Sequence, residues 1–114
     1  MEMSNALSAF QALGQPSRLA VFRLLVQAGP TGLPAGEIAR QLDLRANTLS
    51  SQLAILQAAG LIRPSRDGRS IIYSADMAAL RGLLTWLLQD CCGGAPELCA
   101  PVLDQIACLK TPCC

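Results

Sequence analysis

Six cysteines and no histidine stand in a chain of 114 residues. Three of them, Cys91, Cys92 and Cys99, fall within nine residues and bracket the pair Gly93-Gly94. A glycine pair lets the backbone reverse, so thiols from the end of one helix and the first turns of the next can converge on one atom. Three soft thiolates without an imidazole or carboxylate suit a thiophilic ion of trigonal preference. Trivalent arsenic or antimony fits that description, which predicts a metal site of Cys91, Cys92 and Cys99. The positive end of a helix opening near Pro96 favours the thiolate form. Adjacent cysteines inside an ideal helix point about 100° apart, so Cys91 and Cys92 serve one ion only where that helix is ending. Other chemistries use the same residues. Four thiolates take zinc or cadmium if Cys108, Cys113 or Cys114 folds back. A vicinal or C-x6-C pair forms a disulfide where geometry allows, which would make a redox switch. A thiol-transfer enzyme or metal chaperone using the tail cysteines is a further reading, and free cysteine is also a small apolar residue that packs. The lack of histidine removes imidazole-ligated sites and the usual general base, so the expectation is that the chain is not an enzyme and needs no resident cofactor.

The elements that would position those thiols read as helices. Asp76 caps a helix running to about Asp90, and Met77, Leu80, Leu83, Leu84, Leu87 and Leu88, with Trp86, cover more than one of its faces. Such a helix packs one side on its own core and the other on a second copy of the chain. Pro96 to about Leu109 reads as a last helix with Leu98, Val102 and Ile106 as its stripe, and Lys110 to Cys114 as a short tail. At the other end, Met1–Leu13 carries Leu7, Phe10 and Leu13 on one side and is a candidate for dimer contacts. Gly14-Gln15-Pro16 breaks it, and Pro16–Ala28 follows with Leu19, Phe22 and Val26 as its inner stripe, widened by Leu24 and Leu25.

Between these lies Pro34 to Ile62, PAGEIARQLDLRANTLSSQLAILQAAGLI. Ile38 and Leu42 put one apolar stripe on a first helix; Leu49, Leu53 and Leu56 put another on a second. Asp43, Leu44 and Arg45 interrupt the pattern at a corner. At about 100° per residue, Asn47, Thr48 and Ser51 face away from the leucines, flanked by Ser50 and Gln52. Short hydrogen-bonding side chains on a helix held out by its neighbour suit the major groove of double-stranded DNA, although a solvated αα-hairpin has the same pattern. Gly60 stands where a C-terminal cap is expected. Leu61 to Ser74, LIRPSRDGRSIIYS, then reads as two strands around an Asp67-Gly68 turn, bearing Arg63, Arg66 and Arg69. Helix, corner, helix and basic hairpin make a mainly α chain with a small β-hairpin, a winged helix-turn-helix.

The totals agree with one domain. Charged residues make up 15%, below the roughly 25% of an average soluble chain. Apolar residues reach 52%, a surplus that suggests burial against a second copy, hence a homodimer. Net charge is only +1, yet Arg45 to Arg69 holds four arginines and one acid, a local basic patch. The densest apolar run, Leu83 to Leu88, is far short of the ~18 residues of a membrane span, and the N-terminus lacks the basic start of a signal peptide. A cytoplasmic protein without membrane attachment is therefore expected, and in a reducing compartment its cysteines serve metal binding or sensing rather than a disulfide framework.

Over about Leu7 to Trp86 the chain resembles the ArsR/SmtB family of metal- and metalloid-responsive winged-helix repressors. The resemblance rests on ALGQPSRLAVFRLL, on EIARQLDLRANTLSSQLAILQAAGLI and on GRSIIYS. It implies a dimeric repressor that holds operator DNA when free and lets go when its ion binds. Arg45, Asn47, Thr48, Ser50, Ser51 and Gln52 would then face the groove, and Arg66 and Arg69 would reach phosphate or the minor groove. Two departures bear on the inducer. The Cys-x-Cys pair of the best-known arsenic sensors is missing from PAGEIARQL, and the family's histidine-containing zinc site cannot form. A C-terminal Cys-Cys…Cys site resembles a further arsenite-binding variant. Smaller departures are Gln52, where the family often has histidine, and Arg45, a poor N-cap beside the usual serine. The expected organisation is a DNA-binding and dimerisation domain over residues 1–90, then a cysteine-rich sensing helix and tail over residues 91–114. A redox-, persulfide-, zinc- or cadmium-responsive repressor of the same fold is the alternative.

Overall fold

A computed structural model of the chain describes residues 2–88. In chain order the elements are α1 (Met3–Leu13), α2 (Pro16–Ala28), β1 (Leu33–Pro34), α3 (Ala35–Leu42), α4 (Ala46–Ala58), β2 (Ile62–Asp67), β3 (Ser70–Ala75) and α5 (Met77–Leu87), with a 3-10 turn at Gly29–Thr31. The architecture is mainly helical with one small antiparallel sheet, the winged helix-turn-helix that the hydrophobic pattern and turn residues predict. The chain divides after Leu83 into two units, and the first, Met1–Leu83, carries the core. Among the described residues no helix is long and apolar enough to cross a membrane.

Local chemistry sets the helix ends. Pro16 opens α2, where a missing N–H costs nothing, and the Gln15 side chain accepts from the Arg18 backbone N–H at 2.8 Å. In α3, Arg40 and Gln41 both donate to the first-turn Glu37 carboxylate. Helix α4 ends on Ala59, with Gly60 following at φ +78. The Gly60 N–H donates to Gln57 O at 3.0 Å and the Leu61 N–H to Leu56 O at 3.1 Å. This is a Schellman ending, and the glycine takes its left-handed position. Leu56 and Leu61, the apolar pair such an ending brings together, are both fully buried. Asp76 starts α5 as predicted, its Oδ1 accepting from the Ala79 N–H at 3.0 Å.

The core is built from Val21, Phe22 and Leu25 of α2, Ile38 of α3, Leu49, Leu53 and Leu56 of α4, and Leu61, Ile62 and Leu83. The α4 stripe is the one its spacing predicts. That of α2 is turned from the expected Leu19, Phe22 and Val26, since Leu19 is exposed and Val21 and Leu25 lie inside. A helix apolar around most of its circumference satisfies the helical period in more than one phase. In α1, Ala6, Ala9 and Ala12 face inward, while Met3, Leu7 and Phe10 are exposed.

The sheet has the order β1-β3-β2. Strand β1 pairs Leu33 with Tyr73 and Pro34 with Ile72; two residues are too few to show alternation in a sequence, so the expected helix beginning at Pro34 starts one residue later. In the hairpin, Ile62 pairs with Ala75 and Asp67 with Ser70. The two-residue loop is therefore Gly68-Arg69, one place beyond the predicted Asp67-Gly68. As an edge strand, β2 accommodates Pro64 without loss of an interior ladder bond.

Candidate nucleic-acid interface

The corner between α3 and α4 is made by Asp43, which adopts the left-handed conformation at φ 53 and ψ 50. Aspartate tolerates that region better than most residues. The Leu44 N–H turns back to Ala39 O at 3.0 Å, and Arg45 enters α4 in an extended conformation. Arg45 makes no side-chain cap, as expected of a residue without an acceptor. Asn47 supplies one instead: its Oδ1 accepts from the Thr48 N–H at 2.9 Å, while the Ser51 hydroxyl donates to Asn47 O at 3.2 Å. The positive end of α4 thus carries an exposed arginine, with its leucine stripe anchored beneath it.

Of the groove-facing set predicted from sequence, Arg45, Asn47, Thr48, Ser50 and Ser51 are all exposed. Gln52 differs. It is half-buried, and its Oε1 accepts from Arg18 Nη1 at 3.0 Å. The same guanidinium donates through Nε to Ala12 O at 2.6 Å and through Nη2 to Gln11 O at 3.5 Å. Sequence reasoning missed Arg18. Its signal was a charged residue three and four places before the core residues Val21 and Phe22, on the inward stripe of an apolar helix.

Arg66 lies on β2 and Arg69 in the turn, both exposed and without an ion pair among the described residues. Arg63, at the base of the same strand, lies 3.6 Å from Asp76 through Nε and Oδ2. That pairing was not legible from spacing, because the twelve intervening residues fold back as the hairpin. The predicted metal residues Cys91, Cys92 and Cys99, and Cys108, Cys113 and Cys114, lie outside the described residues.

A helix-corner-helix with an exposed polar reading face, followed by a basic two-stranded wing, defines a winged-helix DNA-binding protein. Residues 13–64 match the family model described as a helix-turn-helix domain. Over 88 residues the chain is 32% identical to the HTH-type transcriptional regulator YgaV of Escherichia coli, covering 77% of this chain and 87% of that protein. Its fold is similar to that of an ArsR-like transcriptional regulator from Rhodococcus, with a TM-score of 0.69, 25% identity, and coverage of 89% of this chain and 92% of that one. It is also similar to the homodimeric winged helix-turn-helix DNA-binding domain of a possible ArsR-family regulator from Mycobacterium bovis, with a TM-score of 0.61, 24% identity, and coverage of 77% and 82%. The chain belongs to the ArsR family of winged-helix transcriptional regulators. Its relatives are DNA-binding regulators rather than enzymes, in agreement with the expectation from its composition.

Proposed function

We propose that the chain is a homodimeric repressor that grips operator DNA with α4 and the wing and releases it when trivalent arsenic or antimony is captured by Cys91, Cys92 and Cys99. The observation that carries the DNA half is the exposed first half of α4, from Arg45 to Ser51, standing on buried Leu49, Leu53 and Leu56. Arg66 and Arg69 add positive charge for phosphate or the minor groove. Two half-sites about one helical turn apart call for two reading heads. The exposed Met3, Leu7 and Phe10 of α1 offer apolar surface for a second copy, and the similar M. bovis domain is homodimeric.

The inducer assignment rests on the thiol spacing in the sequence. Arsenous acid and three thiols give one trithiolate complex and three molecules of water: each As–O bond is replaced by an As–S bond, and each thiol proton leaves in that water. In this reading residues 1–90 read DNA and dimerise, and residues 91–114 sense. Ion capture ties the segment bearing Cys91 and Cys92 to that bearing Cys99, shifting the separation of the two α4 helices. A coupling of about 3 kcal/mol suffices for a hundredfold loss of operator affinity.

The test is a gel-shift titration of operator DNA with arsenite, antimonite, zinc, cadmium and hydrogen peroxide. Cys92→Ser is expected to bind DNA as the wild type does and to lose release by arsenite. Normal arsenite release from Cys92→Ser would overturn the site. Release by peroxide alone, or by zinc or cadmium alone, would overturn the inducer and leave the DNA reading standing.

A further inference from the structure

We propose that Arg18 fixes the side-chain amide of Gln52 as a hydrogen-bond donor to DNA, so that one contact of the reading helix is specified from outside that helix. The inference rests on the reading of α4 as the helix that enters the groove. Gln52 Oε1 lies 3.0 Å from Arg18 Nη1. A guanidinium carries five donors, has no acceptor and does not deprotonate in proteins. An amide turned the other way would oppose NH2 to N–H, so its orientation is decided by chemistry. With Oε1 turned to the guanidinium, the donor edge of the amide is Nε2 with its two N–H bonds. Such an edge binds acceptors: guanine O6 and N7, adenine N7, thymine O4 or a phosphate oxygen. It does not bind the amino group of cytosine.

Arg18 is itself held in place. Nε donates to Ala12 O at 2.6 Å and Nη2 to Gln11 O at 3.5 Å, both carbonyls of the last turn of α1, and its backbone N–H is capped by Gln15 Oε1 at 2.8 Å. The guanidinium therefore links the end of α1 to the side of α4. A lysine has one nitrogen and cannot span the same three acceptors. Arg18 is on this account a positioning residue, acting on DNA through Gln52.

The experiment uses the full-length protein and duplexes of about 30 base pairs, room for two half-sites a helical turn apart, enriched by the wild type from a randomised pool. Bulk random duplex serves as the comparison. Gln52→Glu keeps an acceptor for Arg18 and is expected to unfold as the wild type does, but it presents no donor. Its affinity for the enriched duplex is expected to fall about 10- to 100-fold. Arg18→Met frees the amide to turn over. If the acceptor is a base, Arg18→Met relaxes the preference at one base pair of each half-site and weakens binding to the enriched duplex more than to random duplex. If it is a phosphate, binding to both duplexes weakens alike.

Wild-type affinity in Gln52→Glu would overturn the proposal, and that variant decides alone if Arg18→Met does not fold. Enrichment of no sequence by the wild type would instead bring down the groove reading, and this inference with it.

Discussion

Single positions in this fold carry constraints of very different strength. The Glu37 carboxylate is held down to about 2, first by the hydrogen bond from Arg40 and then by that from Gln41. Its contribution to stability is complete above the ordinary value of 4.5 and is lost as the pH falls from there toward 2. The group is partly exposed, so it tunes α3 without acting as a switch. Gly32 is a harder constraint. It sits at φ 66 and ψ −168, a region open essentially to glycine alone. A Cβ there would stand 2.3 Å from Tyr73 O and 3.0 Å from Ile72 Cγ2. Because Leu33 pairs with Tyr73, the clash falls on the start of β1. Gly32→Ala is expected to cost about 3 kcal/mol, read as a lower urea midpoint with an unchanged slope. Gly36, whose added Cβ meets nothing within 4 Å, is the control: in the first turn of α3, alanine there should be neutral or stabilising by up to about 1 kcal/mol.

Among the elements, the wing separates its arginines by the partners the backbone gives them. Arg63 leans toward Asp76, but the arginine is exposed and the 3.6 Å pair is worth at most about 1 kcal/mol. The same aspartate's cap on α5 contributes a similar amount on its own. Among the described residues Arg66 and Arg69 have no such tether, and they are placed toward the hairpin tip. Arg66→Ala is therefore expected to weaken operator and random DNA alike and to lower the slope of log affinity against log salt by about 1. Arg63→Ala should change that slope less, and equal effects would place Arg63 on the phosphates too. The wing was legible because arginines, a glycine turn and β-branched residues coincide between Leu61 and Ser74. Helix α2 was legible in its bounds, since Pro16 and Gly29 punctuate both ends, but not in its phase. Val21, Phe22 and Leu25 are the side that faces in, and Arg18 beside them has partners, Ala12 and Gln52, that only the tertiary fold brings together. Likewise β1 exists because β3 offers it an edge, which no local pattern of two residues announces.

For the molecule as a whole, the sequence carries more apolar surface than one copy hides, and the fold shows where much of it goes. Ala6, Ala9 and Ala12 let α1 lie close on its neighbours, and that leaves Met3, Leu7 and Phe10 at 67%, 53% and 39% exposure on another face. Positions 3, 7 and 10 recur at i, i+4 and i+7, so they form one continuous stripe rather than scattered exposure. In the proposed repressor this stripe meets a second copy, and DNA affinity depends on both copies being present. Leu7→Arg is expected to sediment as a monomer at concentrations where the wild type is dimeric. Since Leu7 makes little contact within its own chain, the monomer should keep wild-type helical content by circular dichroism. Losing the second reading head removes the gain from linked binding, about 10²- to 10⁴-fold, so affinity for a two-half-site duplex should drop by that order while affinity for an isolated half-site stays near the wild-type value. A Leu7→Arg protein that remains dimeric with full operator affinity would move the interface off α1. A monomer that binds neither duplex would mean that pairing also shapes the reading head, a stronger coupling between copies than surface burial alone requires.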